Sequence, residues 1–495
     1  MAGKETDPVV NSVQTRFEEA LALHQNGSLA QAREIYLRVL EMHPGHADAH
    51  HLAGVIAYQS GNLRQAADLI GRAIELNPGM VAAYSNRGLV LRDLRRPEEA
   101  LASYDRALAL KPDLAVAHCN RGLVLQDLGR LDDAVASYDT ALGLQPDYAE
   151  ARANRGDALK ELGRLEDALE SYDRALALKP DLATVPWNLA LCRLLTGDFA
   201  RGWEGYERRW DVPQLAGQIG KKRHYAQPLW LGAEPLQGKD LLLYGEGGLG
   251  DTIQFCRYAK LAAAAGARVI LEVPRSLHAL LKDLAGVAQV VEQGGALPKF
   301  DFHCPLPSLP LAFRTRLDNV PSFDAYVACQ PAKLAEWKAR LGETGKPRIG
   351  LVWSGSVKHT NDRNRSIALR ELIAQLPTHA QYVSLQKETR PADAETLAAH
   401  GEILRFEEQL RDFSDTAALC ELMDVIVSVD TSVAHLAGAL GKPVWILLPF
   451  VPDWRWMLER EDSVWYPSAR LFRQDQAGDW AGVLASLRTA LLQRH

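Results

Sequence analysis

Five residue positions recur every 34 residues across the first third of this chain. Gly88, Gly122 and Gly156 share the spacing, as do Ala100, Ala134 and Ala168; Tyr104, Tyr138 and Tyr172; Ala107, Ala141 and Ala175; and Pro112, Pro146 and Pro180. A period of that length marks a stacked array, in which each copy buries its apolar face only against its neighbours. Small residues at fixed offsets let two antiparallel helices approach closely, and a proline, unable to continue a helix, closes each unit. The register decays outward. Gly54, Ala66, Ala73 and Pro78 keep it upstream, and Ala20, Ala32, Tyr36 and Pro44 make a weaker first copy. Downstream, Asn188, Leu189 and Tyr206 stay in phase, but Gly202 takes an alanine position and Trp187, Trp203 and Trp210 crowd in. End copies differ because they cap the stack or dock on something else. Five full repeats and a modified sixth are therefore expected, ending near Trp210.

The 34-residue Gly/Ala/Tyr/Ala/Pro order resembles the tetratricopeptide repeat, an α-solenoid that presents a long concave surface to other proteins. Residues 1–212 are thus expected to form a superhelical domain that binds an acceptor protein. They carry 24 basic and 31 acidic side chains, a difference of −7 against −6 for the whole chain. An acidic arm is a poor platform for nucleic acid.

At 495 residues the chain has room for two or three domains. The N-terminal MAGKETDPVV lacks the apolar core of a signal peptide, and no run nears the ~18 apolar residues of a membrane span. The six cysteines, at 119, 192, 256, 304, 329 and 420, include no CxxC pair. That spacing argues for a reducing, cytoplasmic compartment and against a zinc site.

Composition shifts after Trp210. Pro213, Gly217, Gly220, Pro228 and Pro235 mark residues 213–239 as a connector. Apolar runs of strand length then alternate with amphipathic stretches: Asp240–Gly245, Ala267–Val273, Ala288–Val291 and Phe300–Cys304, and again Arg348–Trp353, Gln381–Leu385, Asp424–Val429 and Pro443–Leu448. Strands alternating with helices imply parallel sheets. Two Rossmann-like lobes are expected, 240–335 and 336–495, with ligands held in a cleft at the carboxyl ends of the strands.

Three constellations fall at such ends. The turn Gly245-Glu-Gly-Gly-Leu-Gly250-Asp251 satisfies G-x-G-x-x-G, and Glu272 follows about 20 residues on, as in dinucleotide-binding units. Asp251, however, would place a carboxylate against the pyrophosphate that such a turn holds. The helix dipole favours its ionised form, which suits a general base; the alternative is that it only caps the helix. In Asp430-Thr431-Ser432-Val-Ala-His435, Thr431 and Ser432 offer hydroxyls beside free backbone N–H groups, a ready anion site, with His435 about one turn in. The alternative is an ordinary N-cap with a solvated histidine. Between them, the polar stretch Val357–Ser366 supplies Lys358, Arg363 and Arg365, which can clamp a diphosphate or stay in solvent. The run Pro449–Trp456 puts tryptophans after the last of these strands, either stacking on a ligand or packing the core.

Gly250-Asp251, with Asp430-Thr431-Ser432…His435-Leu-Ala-Gly-Ala-Leu-Gly-Lys-Pro443, resembles the heptosyltransferase-type glycosyltransferases over roughly residues 240–475. The resemblance implies the two-lobed GT-B fold, with Asp251 as catalytic base. It implies donor binding by Thr431, Ser432 and His435, with Arg365 or Lys358 as the basic group; Gly248, Gly250, Asp430 and Arg363 complete the expected donor site. Repeats fused to such a unit are also similar in layout to protein O-GlcNAc transferases and flagellin-modifying glycosyltransferases. In the former an asparagine ladder grips substrate backbone; Asn86, Asn120, Asn154 and Asn188 stand in register here, with Asp93, Asp127 and Glu161 about seven residues on, on the same helix face. Asparagine also serves structural roles at this repeat position.

The function so implied is a cytoplasmic, metal-independent, inverting glycosyltransferase. It would move a sugar from a nucleotide-sugar co-substrate, without a bound cofactor, to Ser or Thr of a protein chosen by the repeats; flagellin is the acceptor suggested by analogy. The alternatives are a cell-envelope glycan enzyme and a catalytically silent scaffold.

Overall fold

A computed structural model describes residues 8–220, 222–357 and 361–493. It divides into two compact units between Leu182 and Ala183.

The first unit is helical, with ten helices among the described residues, from Pro8–Gln25 to Leu165–Leu178. The 34-residue period has a steric cause. A Cβ placed on Gly88 would lie 2.5 Å from the Tyr104 ring, one on Gly122 2.5 Å from Tyr138, and one on Gly156 2.6 Å from Tyr172. Each glycine is therefore the seat of the tyrosine 16 residues later, on the second helix of the same pair. Gly54 seats Ile70 in the same way, at 2.6 Å. Ala100, Ala134 and Ala168 are all fully buried. The turn between helices has the same period: Gly27, Gly61, Gly129 and Gly163 have φ between 73° and 78°. Arg95 holds the same left-handed position at φ 60°, where an L side chain pays a steric cost.

The second unit begins with the helices Val185–Leu195 and Phe199–Tyr206, so the modified sixth repeat belongs with the sheets, and the division does not fall at 212. Its tryptophan explains why: Trp203, 1% exposed, packs edge-on to Trp454 with ring centroids 5.1 Å apart, and lies 6.3 Å from Trp465 and 6.4 Å from Phe255.

Nine strands follow among the described residues: β1 (Asp240–Tyr244), β2 (Arg268–Val273), β3 (Val287–Glu292), β4 (Phe302–Pro305), β5 (Arg348–Val352), β6 (Gln381–Ser384), β7 (Val425–Val429), β8 (Val444–Leu448) and β9 (Ala469–Arg473). They form two sheets, ordered β3-β2-β1-β4 and β6-β5-β7-β8-β9, and every pairing is parallel. Leu241–Leu243 and Val425–Val427 are fully buried, as expected of strands covered by helices on both faces. The connector is more than a tether, because Leu229 bridges His303 of β4 and Trp230 N donates to His303 O at 2.9 Å. The expected lobe boundary at 335/336 falls inside the helix Pro331–Leu341. That helix is tied to the second lobe, with Trp337 Nε1 donating to Asp415 at 3.0 Å and Lys333 pairing with the same carboxylate at 2.5 Å.

Two substitutions in the repeats should act in opposite directions. Gly122→Ala drives a methyl into the Tyr138 ring and should cost about 1–3 kcal/mol. Arg95→Gly relieves a left-handed arginine and should add about 0.5–1 kcal/mol after glycine's extra chain entropy is counted. Urea unfolding followed by circular dichroism at 222 nm measures both; an unchanged midpoint for Gly122→Ala would contradict the seat.

Candidate functional site

Both sheets reverse their winding once. In the first, the chain runs β1 to β2 to β3 and then returns to place β4 on the other side of β1; in the second, β5 has β6 on one side and β7 on the other. Crevices at such switch points, beyond the carboxyl ends of the strands, hold ligands in open α/β sheets. Here a cleft of about 810 Å³ is lined by the turns after β1, β5 and β7 and by the segment after β8.

The first wall is the glycine-rich turn. Gly247 has φ 70°, and Gly248 is the N-cap of the helix Leu249–Phe255, whose side-chain cap is absent. Glu246 anchors the turn from behind. It is 4% exposed and receives the Arg209 guanidinium at 2.8 and 3.2 Å, while Arg209 also donates to Ser308 Oγ at 2.7 Å. Burial pushes the Glu246 carboxyl up to about 6, against the pull of Arg209. Asp251 projects from the first turn of the helix and lines the cleft. Its Oδ1 accepts from Arg455 at 2.6 Å, and the side chain is 31% exposed. Burial raises its proton affinity, Asp453 adds to that, and Arg455 opposes both.

The second wall is the turn after β7. Thr431 is the N-cap of the helix Ser432–Ala439 but makes no side-chain cap bond; its hydroxyl lies 3.2 Å from Ser428 Oγ instead. The backbone donors of that helix start are therefore not consumed by Thr431. His435 is 5% exposed, not solvated. It stacks on Trp456 with centroids 5.4 Å apart, its Nδ1 lies 2.9 Å from Tyr466 Oη, and its Nε2 lies 3.9 Å from Asp430 Oδ1. Burial, with the charges of Arg455, Arg257 and Arg365, holds the imidazole well below its ordinary pKa, so it is neutral at pH 7. Burial and the neighbouring Asp453 push Asp430 up to about 6.

The two walls touch. A Cβ on Gly250 would lie 2.7 Å from His435 Cδ2 and 3.5 Å from Ser432 Cα. That approach puts Asp251 and the Thr431–Ser432 turn in the same cleft.

The middle loop is split. Arg365 lines the cleft, and donates to the Asp430 carbonyl at 2.8 Å, while its buried Nε makes no hydrogen bond and lies 3.8 Å from Asp362 Oδ1. Arg363 is solvent-exposed and is not among the described residues lining the cleft. Lys358 lies outside the described residues. Glu272, the acidic residue of the dinucleotide pattern, is 4% exposed and is bonded to Arg223, so it is not presented to a ribose.

Several cleft residues were not anticipated from the sequence. Gln386 accepts from the Trp353 and Ser354 amides, each at 3.2 Å. Arg455, 8% exposed at its side chain, donates to Asp251, to Asp453 Oδ1 at 2.8 Å and to Gln254 Oε1 at 2.6 Å. Its sequence signal was a charge enclosed by two tryptophans, since a buried cation needs partners. Trp454 and Trp456 themselves are 4% and 1% exposed. They pack in the core and are not among the residues lining the cleft.

In the repeats, the asparagine amides are partly engaged. Asn86 Nδ2 lies 2.9 Å from His51 Nε2 and Asn154 Nδ2 lies 3.6 Å from Cys119 Sγ, each one repeat back. Asn120 is half-buried, and Asn188 lies in the second unit and has a partner of its own. Asp93 accepts from Tyr58 at 2.8 Å, and Asp127 from Arg92 at 2.6 Å. Among the described residues no helix is long and apolar enough to cross a membrane.

Comparison with known proteins gives the following. Residues 17–69, 51–115 and 119–183 match the tetratricopeptide repeat. Protein FlbA of Caulobacter vibrioides is 29% identical over 331 residues, 60% of this chain and 53% of that protein. The chain thus spans about half the length of this curated relative. Among solved structures, YrrB, described as a TPR protein with an unusual peptide-binding site, is 24% identical, covering 36% of this chain and 96% of that one with a TM-score of 0.33. PilF of Pseudomonas aeruginosa is 19% identical over 43% of this chain and 93% of that one, with a TM-score of 0.37. The first unit is built of tetratricopeptide repeats, and the second is an α/β region with two parallel sheets.

Proposed function

We propose that the chain is a GT-B glycosyltransferase that moves a sugar from a nucleoside-diphosphate donor to a protein hydroxyl. The observation that carries this is the contact of the two turns at Gly250 and His435. It brings a carboxylate on one lobe into the same cleft as an anion-binding helix start on the other. Asp251 Oδ2 takes the proton of a Ser or Thr hydroxyl as its oxygen bonds to the anomeric carbon. The bond from that carbon to the donor phosphate breaks, and the diphosphate leaves with both electrons. Its charge is met by the N–H groups and hydroxyls at Thr431 and Ser432 and by Arg365, donors placed before the charge develops. Neutral His435 offers Nε2 as a hydrogen-bonding edge. Arg363 is left out of this assignment because it is exposed.

The repeats are proposed to select the acceptor, with flagellin as the candidate by analogy of layout. Amide groups of Asn86, Asn120 and Asn154 would bond peptide backbone with the capacity that the His51 and Cys119 contacts leave. The division at 182/183 defines where the arm can be removed, and residues 183–211 must stay with the sheets because Trp203 is packed among Trp454, Trp465 and Phe255.

Asp251→Asn should lower turnover ~10²–10⁴-fold, the usual contribution of a general base, while donor affinity holds. Thr431→Ala combined with Ser432→Ala should weaken donor binding and turnover together. Calorimetry and hydrolysis assays with a panel of UDP-, GDP-, TDP- and ADP-sugars measure both; a panel that neither binds nor reacts would contradict the proposed donor class. Asn86, Asn120 and Asn154 changed together to Ala should weaken acceptor binding by roughly one to three orders of magnitude, at about 0.5–1.5 kcal/mol per lost bond. A folded triple variant with unaltered acceptor binding would give these asparagines a structural role only.

Asp430 is held charged against its environment. Its folded pKa, about 6, exceeds the ordinary carboxylate value, so the folded state favours the protonated form. Folding is therefore favoured below the unfolded pKa, and that advantage is lost as pH rises through about 6. Asp430→Asn should accordingly stabilise the protein on the order of 1 kcal/mol at pH 7.5 and change it little near pH 4. Thermal unfolding at the two pH values checks this; equal effects at both would contradict it.

A further inference from the structure

One cation reaches from the segment after β8 to the carboxylate in the turn after β1. Arg455 spends its three nitrogens on three different partners. Nε donates to Gln254 Oε1 at 2.6 Å, one terminal nitrogen to Asp453 Oδ1 at 2.8 Å, and the other to Asp251 Oδ1 at 2.6 Å. Asp453 also accepts the Arg455 backbone N–H at 3.0 Å, and the guanidinium lies over the Trp454 ring, 4.2 Å from its centroid. The cation is thus fixed from several sides before it meets Asp251. Gln254 is fully buried and stands on the same helix as Asp251, so the arginine grips that helix at two points three residues apart.

The contact to Asp251 is made to one oxygen. A bidentate fork would occupy both oxygens and cover the carboxylate. A single bond to Oδ1 fixes the carboxylate plane and leaves Oδ2 to receive a proton. We infer that Arg455 is the positioning residue for Asp251, holding Oδ1 from the opposite lobe so that Oδ2 acts as the base. This rests on the glycosyltransferase reading for its chemistry, but the pairing can be tested apart from it.

The charged groups around Asp251 act with different signs. Arg455 favours its ionised form, and Asp453 disfavours it. Arg209 favours it from behind the turn, where it is paired with Glu246. Beyond Arg455 stand Asp430 and the uncharged His435. Removing the arginine takes away an attraction and also releases Asp453 from its partner. Neutralising Asp453 takes away a repulsion and leaves Asp251 as the only carboxylate hydrogen-bonded to the arginine among the described residues. The two changes must therefore shift the protonation of Asp251 in opposite directions, which a role confined to packing would not produce.

Carbodiimide activation with glycine ethyl ester labels protonated carboxyl groups. On the full chain, labelling of Asp251 is followed by peptide mass spectrometry against pH and normalised to the exposed Asp132. In Arg455→Gln the labelling midpoint should rise by about one pH unit or more, and in Asp453→Asn it should fall. Arg455→Lys, which keeps charge without the fork, should lie between wild type and Arg455→Gln. Midpoints at the wild-type value in folded variants, or shifts of the same sign, would overturn the inference. If circular dichroism shows Arg455→Gln unfolded, Arg455→Lys and Asp453→Asn decide by the same signs. Asp251→Asn with retained turnover would remove Asp251 as base while leaving the labelling shifts in place, so the two failures are distinct.

Discussion

The close approach of two strand-to-helix turns is the constraint on which the rest of the second unit depends. Gly250 has no Cβ, and any Cβ there would strike His435. Without that vacancy the helix Leu249–Phe255 could not meet the helix Ser432–Ala439, and Asp251 would not share a cleft with Thr431 and Ser432. The cost of the approach appears in the titratable groups. Burial raises the proton affinity of Asp251, Asp430 and Glu246 and keeps His435 neutral. Buried charges of that kind need specific partners, and the partners found, Arg209, Arg365 and Arg455, each tie together chain segments far apart in sequence. Their positions tie the electrostatics of the cleft to its architecture.

Anchoring from behind matters as much as the cleft itself. Arg209 lies on the short helical turn Glu207–Asp211, directly after the last repeat-like helices, yet it holds Glu246 in the glycine-rich turn. Trp203, a few residues earlier, is packed among aromatic rings from both lobes. The degenerate sixth repeat has therefore been converted from a stacking unit into a buttress for the candidate site. Of its departures from the consensus, Trp203 makes the contacts to the sheets, whereas Gly202 makes room for Leu194 of the preceding helix.

Much of this was legible in the sequence, and the limits have physical causes. The repeat period is visible because each glycine–tyrosine seat is a local steric rule, obeyed within 16 residues. Most of the eight anticipated strands are apolar runs, and β5, β7 and β8 are buried along their whole length, as strands covered on both faces must be. The strand β9 was missed because Ala469–Arg473 mixes charge with apolar residues, and Arg470 within it is exposed. Asp251, Thr431, Ser432 and His435, which line one cleft, stand out in the sequence because motif and strand end coincide. Arg455 was missed because its partners, Asp251 and Gln254, lie about 200 residues away, a pairing no local pattern encodes. Arg363 was grouped with Arg365 by proximity, but two positions along one short helix point to different surroundings.

The central claim is that a protein held by the repeats receives a sugar through this cleft. Intact-mass analysis of proteins captured by the full chain tests it most directly, comparing cells that express the wild type with cells that express Asp251→Asn. The account predicts a discrete increment of one sugar residue on a captured protein with the wild type, absent with the variant. Captured proteins of unchanged mass in both, or the same increment in both, would contradict it.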